Sequence, residues 1–374
     1  MMHLVLFFTR GMSIKAWDDV GMFDREVAIY ERLRDHGVVV SFVTYGYSDD
    51  FGYRDRLQGI DILCNRWRLP SRVYQRFLYL LHGKSLKACD LIKTNQTNGA
   101  DIAMRAAQFW CKPFIARCGY MWSVHASNRK STTESQHARS TESEVFAVAN
   151  RVVVTTKEMT DYVLLNYDPP FEKLKVIPNY VETERFVPDS EQSEDFDVIF
   201  VGRLALQKNV SAFLTALSDL DVRALIIGDG ELCGRLQSEY GDMNGKVRWE
   251  GNVPNSRLPS LMNRSRIFVL PSHYEGHPKT LIEAMSCGMP VIGADSPGIR
   301  EIIDHGVNGY LCGTDRESIR ASIQRLLGNP ALCESIGKNA RKHVLDNFSL
   351  DRILEMEYEM YQEVLSEHQS KILN

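Results

Sequence analysis

Short apolar runs alternate with longer amphipathic ones along most of this chain, a pattern that predicts parallel β-sheet covered by helices on both faces. Residues 4–9 read as a first strand, 21–36 as a helix stopped by Gly37, and 38–44 as a second strand. Further strands are expected at 60–63, 90–93, 113–117, 151–155 and 175–177, with helices at 73–81, 100–109 and 157–166. The polar run Thr94-Asn95-Gln96-Thr97-Asn98-Gly99 is placed to cap the helix that follows. Residues 128–143, poor in large apolar side chains, read as a mobile loop or an exposed helix start. The acidic segment 182–197, which contains Pro188, is the best linker, and a second series of elements begins after it. Strands at 197–201, 224–227, 247–249, 267–270 and 291–293 each close on a loop rich in Gly, Pro or charge. In a parallel sheet these loops share one edge. From Glu317 onward the chain reads as helical, with a long acidic helix at 351–368.

The length of 374 residues suits two domains with separate cores, and 44% hydrophobic with 25% charged residues is ordinary for a globular protein. The predicted division is 1–180, 181–350 and a C-terminal helix at 351–374. The net charge of −4 is uneven: residues 1–180 hold 24 Lys+Arg against 19 Asp+Glu, and the remainder 20 against 29. Between Arg54 and Lys87 eight bases face only Asp55 and Asp61, interleaved with Trp67, Tyr74, Phe77, Leu78 and Tyr79. Such a stretch is either a solvated basic helix or a surface for an anionic membrane or acidic acceptor. The eight cysteines show no C-x-x-C pair or metal-type spacing, as expected of reduced thiols. With no secretory leader, no run of 18 apolar residues and no nucleic-acid motif, the expectation is a cytoplasmic chain, peripheral to the inner membrane face at most.

Candidate chemistry centres on His273–Glu283, H-Y-E-G-H-P-K-T-L-I-E, which follows the strand at 267–270 and the turn Pro271-Ser272. Pro278 suits the first turn of a helix, where the N–H groups of Lys279, Thr280 and Leu281 and the helix dipole favour an anion. Glu275 then lies in the loop, and Glu283 about a turn and a half into the helix. Carboxylates repel an anion, so their natural targets are hydroxyls carried beside a phosphate, as on a sugar nucleotide. Glutamates at this spacing ordinarily occupy solvated faces; the surrounding motifs give these two more weight. Gly11 and Gly21 sit in and after the first loop, where open α/β sheets bind ligands, and His125 follows a strand that runs into Gly119-Tyr120-Met121-Trp122. Gly228-Asp229-Gly230 lacks the third glycine of a dinucleotide fingerprint and reads as a turn. Asp195-x-Asp197 and Asp219-x-Asp221 precede strands and read as solvated turns.

Taken in order, Val201-Gly202-Arg203-Leu204 with Lys208, Gly228-Asp229-Gly230, Gly251-x-Val253, Pro271-Ser272, Glu275-Gly276 to Glu283-Ala284-Met285, Gly288-x-Pro290-Val291-Ile292 and Asn308-Gly309-Tyr310-Leu311 resemble the retaining, sugar-nucleotide-dependent glycosyltransferases of family 4. Ile177-Pro178-Asn179 with Phe186 matches that family's domain junction. The resemblance implies a GT-B fold: two Rossmann-like, doubly wound parallel-sheet domains facing across a cleft, with the final helix packed back on the first. It implies that Arg203 and Lys208 bind the donor diphosphate, Glu283 the ribose and Glu275 the sugar. It further implies base contact from the backbone near Val253, and an approach of His125 to the sugar from the N-terminal domain. Gly202, His277 and Gly11 complete the expected donor site. Two departures stand out. Gly11 has no adjacent glycine, and His277 occupies a position commonly aromatic, where it would alter sugar preference or add a proton donor near phosphate. The expected activity is transfer of a sugar from a nucleoside diphosphate to a hydroxyl of a saccharide or lipid-linked saccharide, without metal or other cofactor. Bacterial surface polysaccharide or glycolipid synthesis is the expected setting. An epimerase of the same fold, or a sugar-binding protein with a degenerate site, are the alternatives. The donor's base and sugar, the acceptor and the linkage are left open by the sequence.

Overall fold

The computed structural model describes residues 2–129, 131–189 and 191–373. The chain divides into two units: Met1–Asp19, Glu26–Pro178 and Leu354–Asn374 form the first, and Val20–Arg25 with Asn179–Ile353 the second.

Among the described residues the first unit holds seven strands: β1 (His3–Phe7), β2 (Val39–Val43), β3 (Asp61–Leu63), β4 (Leu91–Thr94), β5 (Phe114–Cys118), β6 (Arg151–Val154) and β7 (Leu174–Val176). Every pairing is parallel, in the order β3-β2-β1-β4-β5-β6-β7. Central strands of such a sheet are covered on both faces, which is why β1 and β6 are near-continuous apolar runs with little alternation. Val5, Phe7, Ile92, Ala116 and Val152 share one core with the helix Ala100–Phe109 and with Val145 and Phe146.

Among the described residues the second unit holds six strands: β8 (Phe196–Val201), β9 (Ala224–Ile227), β10 (Val247–Gly251), β11 (Ser265–Leu270), β12 (Val291–Ala294) and β13 (Tyr310–Cys312). They are again all parallel, in the order β10-β9-β8-β11-β12-β13. Both units are therefore doubly wound α/β sheets.

Several local expectations need correction. Of the two readings of residues 128–143, the exposed helix start holds and the mobile loop does not: the helix Thr132–Val148 begins with Thr132, Thr133, Gln136 and His137 exposed, Glu142, Val145 and Phe146 further along it are buried, and Lys130 lies outside the described residues. The polar run before the helix Ala100–Phe109 provides no side-chain cap, because Gly99 holds the N-cap in a left-handed conformation (φ 97°). Its residues bridge loops instead: Gln96 Oε1 accepts from the Gly119 N–H at 2.9 Å, and the Asn98 carbonyl from the Arg10 N–H at 3.0 Å. The long first loop contains a short helix, Ile14–Asp19. Strand β13 is too short, and too weakly apolar, to stand out by periodicity. Segment 182–197 is no free linker. Phe186 is fully buried, its carbonyl accepts from Ser286 Oγ at 2.7 Å and Arg341 Nη1 at 2.9 Å, and Asn263 bonds both Asp189 and Val187. Part of this segment, Ser190, lies outside the described residues.

Candidate active site

In the second sheet β8 and β11 are neighbours, yet the next strands, β9 and β12, lie on opposite sides of that pair. Beyond the carboxyl edge the chain leaving β8 and the chain leaving β11 consequently run on to opposite sides of the pair. This is the topological switch point at which open α/β sheets leave a crevice for ligands.

After β8 the chain turns at Gly202–Leu204, and the loop after β9 packs on it. Gly202 N–H donates to Ile227 O at 3.0 Å, and Leu204 N–H to Asp229 O at 2.9 Å. A Cβ on Gly228 (φ +129°) would stand 2.1 Å from Gly202 O, and one on Gly230 2.5 Å from Leu204 O. These glycines let two backbones meet, as the turn reading requires. Arg203 is exposed on this turn and makes no ion pair among the described residues.

The loop after β11 is fastened to the loop after β8. His273 N–H donates to Gln207 O at 2.9 Å, and Gln207 Nε2 to Tyr274 O at 2.8 Å. Asn209, left-handed at φ 53°, sends its side-chain amide to Pro271 O (3.1 Å) and Thr314 O (2.8 Å). Gly298 (φ +77°) closes the other side, where a Cβ would lie 2.3 Å from Gly276 O. So held, Glu275 Oε1 receives Lys208 Nζ at 2.6 Å, with both side chains largely buried. The ion pair places a cation and a carboxylate side by side at the edge of the crevice, and a ligand carrying phosphate and hydroxyls would engage each by opposite chemistry.

The helix Lys279–Ser286 begins directly after Pro278, which occupies the N-cap and has no polar side chain with which to cap it. Its apolar residues Leu281, Ile282, Ala284 and Met285 are buried in the second core, which fixes the direction of its positive end. Glu283 is buried in the same helix, with Oε1 taking hydrogen bonds from Asn255 Nδ2 (2.9 Å) and Arg25 Nη1 (3.2 Å). Val253 is buried, and its carbonyl is so close to Gly21 (φ +75°) that a Cβ there would stand 2.3 Å away. His277, the candidate for altering sugar preference or adding a proton donor near phosphate, follows Gly276 in the loop after β11. Its ring is buried edge-on against Phe348, centroids 4.8 Å apart, and its carbonyl accepts from Asn179 Nδ2 at 2.5 Å. Phe348 in turn meets His343 at 5.3 Å, where burial holds the imidazole below its ordinary pKa.

Gly11 and His125 belong to the first unit. Its own switch point falls between β1 and β4, and Gly11 (φ +80°) lies in the loop leaving β1, with open space where a Cβ would stand. His125 sits on the helix Trp122–Asn128, its ring against Tyr120 at 5.6 Å. Glu142 anchors that helix: its Oε1 accepts the N–H groups of Trp122 (2.8 Å) and Ser123 (3.3 Å), and Oε2 the Tyr167 hydroxyl (2.5 Å). Burial pushes the Glu142 carboxyl above its ordinary range, and these hydrogen bonds oppose the shift.

Two family models match the chain: "Glycosyltransferase Family 4" over residues 27–185 and "Glycosyl transferases group 1" over 182–343. The fold aligns with sucrose-phosphate synthase from Thermosynechococcus elongatus at a TM-score of 0.80 and 20% identity, covering 98% of this chain and 100% of that one. HepE from Anabaena, solved in complex with UDP and glucose, aligns at 0.79 and 18% identity, covering 97% and 100%. The chain is a GT-B glycosyltransferase of family 4. Among curated relatives, a UDP-Gal:alpha-D-GlcNAc-diphosphoundecaprenol alpha-1,3-galactosyltransferase of Escherichia coli is 26% identical over 73% of this chain and 75% of its own length.

In this glycosyltransferase the Asp-x-Asp triplets lie at the amino ends of β8 and β9 and are taken up in ion pairs. Asp195 meets Arg264 at 2.7 Å, Asp197 Arg266 at 3.2 Å, Asp219 Arg320 at 2.8 Å and Asp221 Lys246 at 3.0 Å. Sequence reasoning missed Asn209, Gly298, Asn255 and Arg25. Asn209 carried a faint signal, a residue tolerant of left-handed geometry just before an apolar helix. Arg25 carried none, being 258 positions from Glu283.

Proposed function

We propose that the enzyme moves a sugar from a nucleoside-diphosphate sugar to a hydroxyl of a saccharide or lipid-linked saccharide, with retention of anomeric configuration. The observation that supports this best is the company at the switch point of the second sheet: an exposed Arg203, the Lys208–Glu275 pair at 2.6 Å and the start of the helix Lys279–Ser286 after Pro278. Arg203, Lys208 and the N–H groups of Lys279, Thr280 and Leu281 would neutralise the leaving diphosphate, so the reading needs no metal. Gly202, by lacking a side chain, admits the diphosphate close to the turn. The bond from the anomeric carbon to the phosphate oxygen breaks, and a bond from that carbon to the acceptor oxygen forms on the same face. The acceptor's proton passes to the departing phosphate oxygen. Glu275 would accept hydroxyls of the transferred sugar, Glu283 those of the ribose, and the backbone at Val253 would border the base. The acceptor is assigned to the carboxyl edge of the first unit, with Gly11 and the helix of His125. Two of the similar proteins, one solved with UDP and glucose and one named as a galactosyltransferase of a diphosphoundecaprenol-linked sugar, are in keeping with such a donor and acceptor.

Proton NMR of the first product tests the chemistry. Retention of the donor's configuration is expected, and inversion would overturn the mechanism. Donor incubated alone should stay unchanged; its conversion to another sugar nucleotide would instead reveal an epimerase.

The basic segment supports a membrane-surface acceptor. On the helix Ser71–Leu81, Val73, Phe77 and Leu80 are exposed on one face beside Arg72 and Arg76, and Arg66 stacks over the partly exposed Trp67 at 4.7 Å. Tyr74 and Leu78 from the same stretch point inward; the Tyr74 hydroxyl is bonded to Thr44 O at 3.0 Å, so the surface is narrower than the sequence suggested. No helix among the described residues is long and apolar enough to cross a membrane. The protein should float with vesicles containing phosphatidylglycerol and not with pure phosphatidylcholine, and R72E/R76E should abolish flotation. Absence of flotation in the unaltered protein would remove this part of the reading.

A further inference from the structure

Glu283 is an unusual carboxylate. Its side chain is 1% exposed, and both hydrogen bonds it receives go to Oε1, from Arg25 Nη1 and Asn255 Nδ2. Its Oε2 is equally buried and has no hydrogen-bond partner among the described residues. An anionic oxygen kept from water without a donor is strongly unfavourable, so such an atom calls for donors from a ligand.

The two residues that hold Oε1 are themselves locked. Asn255 Oδ1 accepts from Arg185, which pairs with Glu182 at 2.9 Å, so the Asn255 amide can present only its NH₂ to Glu283. Arg25 is carried by Val20–Arg25, the short N-terminal segment that clusters with the second unit. That segment is seated by the Asn255 N–H on Gly21 O at 3.0 Å, by the Tyr180 hydroxyl on Arg25 O, and by the close approach of Gly21 to Val253.

We infer that Arg25 and Asn255 are positioning residues of the nucleotide site, which occupy Oε1 of Glu283 and present Oε2 alone to the vicinal hydroxyls of a ribonucleoside diphosphate, making the site selective for ribose over 2′-deoxyribose. The inference rests on the reading that Glu283 meets the donor's nucleotide. It adds the residues that aim the carboxylate and the sugar selectivity that follows. Without Arg25, the cation opposite Oε1 is gone, the carboxylate is free to rotate, and the hydroxyl preference weakens.

Calorimetric titration with UDP, GDP, ADP and CDP, each beside its 2′-deoxy form, tests this on the full chain and on R25A, R25K and N255A, with thermal unfolding followed in parallel. The unaltered protein should bind one ribonucleotide about tenfold or more tighter than its deoxy form, as expected for a hydroxyl bonded to a carboxylate. R25A and N255A should lose most of that ratio through weaker ribonucleotide binding, and R25K should restore part of it. Equal weakening of both forms, with the ratio kept, would mean that Arg25 only supports packing and would overturn the inference while leaving the donor reading intact. Failure of the unaltered protein to bind any of the nucleotides would remove the donor reading itself. If R25A does not fold, R25K and N255A decide on the same ratio.

Discussion

Arg203→Ala is expected to lower turnover at saturating donor by about a hundredfold or more, the usual consequence of removing one preorganised charge from a developing anion. The fold should survive the change. Arg203 projects from a turn held by backbone hydrogen bonds and by the loop of Gly228 and Gly230, and its guanidinium makes no ion pair among the described residues. Lys208 is in a different position, because Glu275 already lies 2.6 Å from its ammonium and offsets part of its charge. Arg203 should therefore carry the larger share of leaving-group stabilisation. The loss should fall on kcat more than on KM, since the extra negative charge on the diphosphate appears only as the glycosyl bond breaks. An Arg203→Ala enzyme with the kcat of the unaltered protein would sink this role.

Lys93→Met is expected to destabilise the first unit by about 3–5 kcal/mol, because it leaves a buried carboxylate without its cation. Lys93 lies in β4, and its Nζ meets Glu357 Oε2 at 2.6 Å and the Tyr361 hydroxyl at 2.9 Å. Both charged side chains are almost fully enclosed, at 2% and 3% exposure. Burial pulls the Lys93 pKa down, and the Glu357 carboxylate resists that shift. The partner residues sit on the helix Leu350–Leu373, so the pair fastens the end of the chain to the middle of the first sheet. Thermal unfolding should shift down by roughly 10 °C in Lys93→Met. The double variant Lys93→Met/Glu357→Met should recover most of the loss, because a buried pair replaced by apolar groups is often neutral. A single variant as stable as the original, or a double variant as unstable as the single, would show that the pair does not hold this helix.

Much of this protein was legible along the chain. Parallel strands buried on both faces are apolar throughout, and the helices between them are amphipathic, so most element positions followed from hydrophobic spacing. The loop chemistry after β8 and β11 was legible for a related reason. Gly, Pro, Arg, Lys and Glu at strand ends are poor core residues, and their order is that of a glycosyltransferase of this family. Where the reading slipped, short-range signals competed. Thr97 and Asn98 have the chemistry of helix caps, but Gly99 took the N-cap in a left-handed conformation.

By itself the sequence determined which segments become strands and helices, that the sheets are parallel, and which loops carry the charged and glycine residues, because burial and backbone freedom are written residue by residue. Strand order was decided only by the tertiary structure. Apolar strands of similar length are interchangeable in pattern, and only packing put β8 beside β11 so that the loops of Arg203, Lys208 and Glu275 meet at one switch point. Tertiary structure also brought Arg25 to Glu283 across 258 positions and left one carboxylate oxygen buried without a donor among the described residues. No periodicity reports such a contact, since it depends on where the Val20–Arg25 segment comes to rest in space.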